Sequence, residues 1–175
     1  MVSTIASPAP ASSARPSKIV KFVSLAIATV FGIGYVPVAP GTFGSIAGLL
    51  LWMVLPASTV VQAAAIVALL VVGSLAGNVA EHHFGRTDPR QVIIDEVMGM
   101  LITLFLNPVA SKGAFVGFLF FRATDVIKPY PANRLERLPG GIGVMADDAM
   151  AAIYANLALR ISIWSSSHLV IGSFN

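Results

Sequence analysis

An all-α, polytopic bundle of transmembrane helices is the fold class that this sequence predicts. Of its 175 residues, 56% are apolar and 11% are charged, and the mean hydropathy is +0.83. A soluble domain carries about 25% charged residues, so water is not the main solvent here. The apolar residues form several stretches of helical length separated by prolines, which is typical of a helical membrane domain.

Five apolar stretches predict spanning helices, at residues 43–55, 59–77, 96–106, 113–124 and 143–164. A straight crossing needs about 20 residues, and only two stretches have that length. The three shorter ones must extend into their flanking motifs or stop where the chain carries charge. We expect a Ser-, Ala- and Pro-rich disordered tail at 1–17, one membrane-embedded domain at 18–165 and a C-terminal tail at 166–175.

The basic residues predict an orientation in the membrane. Residues 19–34 are ambiguous; if they lie in the interface without crossing and the N-terminal tail is cytoplasmic, nine of the eleven basic residues fall on the cytoplasmic side. This arrangement satisfies the positive-inside rule. We therefore predict about five crossings, an N-terminal interfacial or re-entrant segment, and a C-terminus on the opposite side.

Charge and cysteine content exclude several function classes. The formal net charge is +3, with no basic run long enough to follow a nucleic-acid backbone. The sequence contains no cysteine, which rules out thiolate metal sites and every cysteine-based phosphatase mechanism. Membrane lipids are the expected surroundings, and the oligomeric state does not follow from the sequence.

Acidic residues at the ends of apolar stretches are the strongest functional signal. They are Asp95 and Glu96 in VIIDEVMGM, Asp125 in FFRATDVIKPYP, and Asp147 and Asp148 in GGIGVMADDAMAAIYAN. An acid at mid-membrane costs about 2.5–3.5 kcal/mol on insertion scales, and clustered carboxylates suit Mg²⁺. We predict a Mg²⁺ site built from these five, not all of them as direct ligands. The alternative is that they cap helices and pair with nearby cations to tie the bundle together.

Two features of the sequence predict phosphate binding, one in the FFRATDVIKPYP motif and one in a fourth motif, VPVAPGTFGS. Arg122, Asp125 and Lys128 are three residues apart and should share one helix face, where Arg122 can bind phosphate oxygens bidentately and Lys128 can act as a point charge. In VPVAPGTFGS, Thr42 is a natural N-cap and Gly41 allows close backbone approach, so the helix N-terminus could hold an anion. Each signal alone also fits an orientation charge or a simple cap.

Taken together, these four motifs resemble the phosphatidylglycerophosphatase A family over residues 32–154. The resemblance implies a Mg²⁺-dependent lipid phosphatase of the bacterial inner membrane, facing the cytoplasm, that converts phosphatidylglycerophosphate to phosphatidylglycerol. It supports a site of seven residues: Asp95, Glu96, Arg122, Asp125, Lys128, Asp147 and Asp148. Thr124 departs from the family pattern, in which Phe is common at this position.

Metal-assisted hydrolysis is the mechanism we favour, with Asp95, Glu96, Asp125 and Asp148 as the candidate catalytic carboxylates. An aspartyl-phosphate route is less favoured because none of the aspartates stands in a DxD signature. Two rivals remain: a phosphatidate-type lipid phosphatase, and a small ion-coupled membrane transporter whose acids bind an ion.

Overall fold

The computed structural model describes residues 16–135 and 138–172, with side chains as far as residue 165. Every regular element in these ranges is helical, which confirms the all-α prediction. A 3₁₀ turn at Ile33–Tyr35 follows the first helix. The seven α-helices are α1 Lys18–Ala28, α2 Pro40–Val54, α3 Thr59–Phe84, α4 Ile94–Leu104, α5 Ser111–Ile127, α6 Ala132–Leu135 and α7 Gly141–Gly172.

The structure describes only part of the two predicted tails. Residues 1–15 and 173–175 lie outside the described residues. Ser17 caps α1 by accepting a hydrogen bond from the Val20 N–H at 3.3 Å. The backbone of α7 continues to Gly172, through residues assigned to the C-terminal tail.

Among the described residues, two helices are long and apolar enough to cross a membrane: α3, and α7 over Gly141–Ser165. Helix α2 is apolar but shorter. Helix α1 has 11 residues, roughly 16 Å of helix against about 30 Å of hydrocarbon, so it is too short to cross alone. The count of five crossings stays a prediction.

Prolines set two helix boundaries differently from the prediction. Helix α2 begins at Pro40 with Ala39 as its N-cap, so the prediction that Thr42 is the cap is wrong. Proline is pre-organised for the first helical position, where its missing N–H costs nothing. Helix α5 ends at Ile127 and Lys128 adopts a left-handed conformation, because the following Pro129 disfavours helical geometry at the residue before it.

Small residues bring α2 and α4 into close contact. A Cβ atom on Gly48 would lie 2.7 Å from the Met100 Cβ and 2.7 Å from the Val97 carbonyl oxygen. A Cβ atom on Gly44 would lie 2.8 Å from the carbonyl oxygen of Ile93, directly before α4. The glycines therefore permit a separation between these helices that no larger side chain would allow.

Helices α4 and α7 run parallel, and α5 runs antiparallel to both. Gly99 of α4 faces the Phe121 ring of α5, and Gly117 of α5 faces Leu104 of α4 and Leu159 of α7. Helix α3 is antiparallel to α7. The N-terminal ends of α2, α4 and α7 and the C-terminal ends of α3 and α5 thus meet at one end of the bundle, which we call the acidic end because it carries Asp95 and Asp148.

Replacing Gly48 by Val should destabilise the fold. The added side chain would press on Met100 and on the α4 backbone, and overpacking of this kind costs about 1–3 kcal/mol. Thermal unfolding of the detergent-purified protein measures the effect. Leu50→Ala, at an exposed position of the same helix, is the control and should change the midpoint little; equal midpoints for both variants would contradict the close packing of α2 on α4.

Candidate active site

Three carboxylates meet at the acidic end. Asp95 and Glu96 lie in the first turn of α4, and Asp148 lies in α7. One oxygen from each residue lies within 4.8 Å of the others. Asp95 is 6% exposed and Asp148 is 3% exposed, and Glu96 is half-buried. We call these three residues the carboxylate triad.

The triad has oxygens without a hydrogen-bond partner. The Asp95 Oδ1 accepts from the Glu96 N–H at 3.1 Å, but the Glu96 Oε2 and the Asp148 Oδ2 are buried and accept no hydrogen bond from the part of the chain that the structure describes. Buried carboxylates at this spacing repel one another unless a cation lies among them. Several carboxylate oxygens converging on one point are the donor set that Mg²⁺ prefers, so these residues fit the ion.

The other two predicted ligands are each paired with a cation. Asp125 Oδ2 accepts from Arg122 Nη1 at 2.7 Å, and Asp147 Oδ2 accepts from Lys128 Nζ at 2.6 Å. Asp125 also interacts electrostatically with Asp148. The bundle-tying ion pairs of the alternative interpretation are therefore present, and among the described residues they involve these two acids and no member of the triad. Arg122 also interacts electrostatically with Glu96.

Lys128 is not positioned by the helix face that the sequence predicts. Arg122 and Asp125 do share a face of α5, one turn apart. The prediction that Lys128 continues this face is wrong, because the helix has ended, and its side chain instead bonds to Asp147 of α7. The two cationic side chains are 21% and 26% exposed, so both lie where the site meets its surroundings.

The start of α2 lies against the triad. A Cβ atom on Gly41 would contact the Glu96 carboxylate, 3.2 Å from its Cδ, and would lie 3.3 Å from Arg122 Nη1. Only glycine allows the α2 backbone to come this close. The first turn of α2, with Gly41 and Thr42, therefore points its positive dipole end at the site, as expected for anion binding.

Sequence reasoning missed three polar residues at the site. Ser45 is fully buried; its hydroxyl donates to the Gly41 carbonyl at 3.0 Å and accepts from Arg122 Nη1 at 3.4 Å. Thr124 has its hydroxyl 2.9 Å from the Ala151 carbonyl, which ties α5 to α7. Asp88 interacts electrostatically with Asp95 and Asp147. The available signals were the Ser one turn after Gly41 and the Asp-Pro dipeptide before the Asp95 motif.

Neutralising one member of the triad should stabilise the metal-free protein. Asp148→Asn removes like-charge repulsion and should raise the free energy of unfolding in EDTA by about 1 kcal/mol. The matched control, Asp147→Asn, weakens the ion pair with Lys128 and should lower it. Thermal unfolding at pH 8 measures both, and a destabilised Asp148→Asn protein would contradict the repulsive triad.

Comparison with known proteins identifies the family. The family model described as phosphatidylglycerophosphatase A matches residues 26–163. A Bacteroides thetaiotaomicron protein named "Putative phosphatidylinositol-3-phosphatase" is 33% identical over 159 residues, covering 86% of this chain and 97% of that protein. No solved structure is detectably similar.

Two further relatives carry the family's name. The phosphatidylglycerophosphatase A of Haemophilus influenzae is 34% identical over 79% of this chain and 88% of its own length. That of Escherichia coli is 31% identical over 73% of this chain and 76% of its own length. The chain therefore belongs to the phosphatidylglycerophosphatase A family and is a phosphatase.

Proposed function

We propose that this chain is a Mg²⁺-dependent lipid phosphatase that hydrolyses phosphatidylglycerophosphate to phosphatidylglycerol and phosphate. The observation that carries the proposal is the carboxylate triad, Asp95, Glu96 and Asp148, with buried oxygens that have no hydrogen-bond partner. We place the protein in the bacterial inner membrane with the acidic end facing the cytoplasm, on the evidence of its apolar helices and its basic loops.

The triad is the proposed set of direct Mg²⁺ ligands. When bound, Mg²⁺ would neutralise phosphoryl oxygens and lower the pKa of a bound water. The sequence also predicts Asp125 and Asp147 as members of the metal site. Both are paired with cations, and we assign to them the role of holding Arg122 and Lys128 in place.

Two cations and the start of α2 lie around the proposed phosphate-binding site. Arg122 presents a planar guanidinium, which suits phosphate oxygens, and Ser45 and Asp125 both accept hydrogen bonds from its Nη1. Lys128 adds a point charge from across the site. The Thr42 N–H already donates to the Ala39 carbonyl at 3.0 Å, so the Gly41 N–H and the helix dipole are what the start of α2 would offer an anion.

Hydrolysis requires one bond to form and one to break. A water oxygen attacks phosphorus while the bond between phosphorus and the glycerol oxygen breaks, so that the leaving oxygen ends as a hydroxyl of phosphatidylglycerol. The proton of the attacking water passes to a carboxylate, for which Asp95, Glu96, Asp125 and Asp148 are the candidates, and a proton is delivered from that carboxylate to the leaving oxygen. The guanidinium of Arg122 neutralises charge that develops on the transferred group.

The name of the Bacteroides relative supports a second substrate class, a phosphoinositide monoester. Both substrates are phosphate monoesters on a lipid headgroup, so the same triad and cations serve either. Headgroup contacts decide between them, and the substrate test must therefore include both lipids.

Phosphate release decides the function. The detergent-purified protein should release phosphate from phosphatidylglycerophosphate only with Mg²⁺, and faster than from phosphatidate or phosphatidylinositol 3-phosphate. Asp95→Asn and Asp148→Asn should each lower kcat/KM by about 100-fold or more, because each removes a charge aimed at the reacting centre.

Arg160→Gln, at an exposed position of α7, is the charge-change control and should retain activity. Preference for phosphatidylinositol 3-phosphate would assign the second substrate class. No release from any of the three lipids by a folded protein would contradict the phosphatase proposal and favour an ion-coupled transporter.

Arg122→Lys should lower kcat/KM by about 10-fold or more with an unchanged thermal midpoint, because lysine keeps the charge and loses the planar pair of donors. Steady-state kinetics on phosphatidylglycerophosphate measure this loss, with Arg160→Lys as the matched control. Unchanged kcat/KM in Arg122→Lys would remove Arg122 from phosphate binding.

A further inference from the structure

Asn156 of α7 joins the far end of α4. Its Nδ2 group lies within hydrogen-bond distance of three main-chain carbonyl oxygens: 2.9 Å from Ile102, 3.0 Å from Thr103 and 2.8 Å from Phe105. The last carbonyls of a helix lack partners within that helix. A side chain from a different helix, more than 50 residues away in sequence, therefore caps α4.

Small side chains of α7 pack with Met100 and Leu104 of α4 between this cap and the triad. Ala151, Ala152 and Ala155 of α7 are fully buried, and small side chains of this kind let helices approach closely. Methyl groups interlock weakly along the helix axis, so they fix the axial register poorly. A directional polar contact at an apolar helix interface is a known way to specify one register.

The distance along the helix axis from the triad to the cap is similar on α4 and on α7. Seven residues separate Asp95 from Ile102, and eight separate Asp148 from Asn156, which correspond to about 10 Å and 12 Å along the respective axes. A slip of one helical turn would move Asp148 by about 5.4 Å, more than the 4.8 Å that contains the three triad oxygens. The geometry of the triad therefore depends on this register.

We infer that Asn156 is a positioning residue that fixes the register of α7 against α4 and thereby sets the spacing of the carboxylate triad. It contacts main chain about 10 Å from the triad and takes no direct part in the chemistry. The expected effect of Asn156 on metal binding rests on the proposed function, whereas its expected effect on helix register does not.

Two measurements on the full-length protein test the inference. Binding of Mn²⁺ alone, followed by the electron paramagnetic resonance of the free ion, should weaken about 10-fold in Asn156→Leu, the usual scale for losing a residue that orients ligands. The sequence has no cysteine, so spin labels can be placed at Leu106→Cys and Ile142→Cys, both exposed positions. In metal-free protein, their distance distribution should shift or broaden in Asn156→Leu.

Two variants separate positioning from general stability. Asn156→Gln keeps an amide donor and should restore most of the Mn²⁺ affinity. Asn107→Leu removes another donor to the end of α4, a 3.1 Å contact to the Thr103 carbonyl from the same chain segment. It should lower the thermal midpoint while leaving the Mn²⁺ affinity and the label distance unchanged. If Asn156→Leu does not fold, Asn156→Ala replaces it.

Each outcome decides the inference. Weaker Mn²⁺ binding and a changed label distance in Asn156→Leu, with neither in Asn107→Leu, would support it. Unchanged label distances in a folded Asn156→Leu protein, or equal losses in Asn107→Leu, would overturn it. If the wild-type protein bound no Mn²⁺, the proposed metal site would fail, and the label distance alone would then decide whether Asn156 sets the register.

Discussion

The close approach of three carboxylates in a buried place is the constraint on which the rest of the structure depends. Asp95 and Asp148 are almost fully buried, and interactions between like charges strengthen where water is excluded. Each side chain is carried by a helix packed on its neighbours, so the triad cannot relieve repulsion by moving apart. Protonation or a bound cation would relieve this repulsion, and the proposed Mg²⁺ would supply the cation.

The scaffold brings these groups together through small residues. Gly44 and Gly48 let α2 lie close to α4, and the buried alanines let α7 lie close to α4 from another side. The first turns of α2 and α4 lie beside the triad, and their dipoles favour negative charge there. The same close packing that builds the bundle therefore delivers carboxylates and cations to one end.

The apolar stretches predict most of the helices, whereas the sequence predicts the site only in part. The positions of α2 to α5 and α7 were predictable because long apolar stretches have few alternatives in this composition. Thr42 and Lys128 were misplaced because Pro40 and Pro129 outweigh the capping and periodicity rules. The division of five acids into a triad and two ion pairs depends on tertiary contacts that local sequence does not encode. Asn156 was missed for the same reason.

Anomalous X-ray diffraction from crystals soaked in Mn²⁺ would show whether the triad binds a metal ion. We expect one strong peak with an oxygen of Asp95, of Glu96 and of Asp148 at coordination distance, about 2.0–2.1 Å for a small divalent ion. Arg122 and Lys128 should remain outside that distance. A peak elsewhere, or well-ordered carboxylates with no peak among them at saturating Mn²⁺, would contradict this expectation.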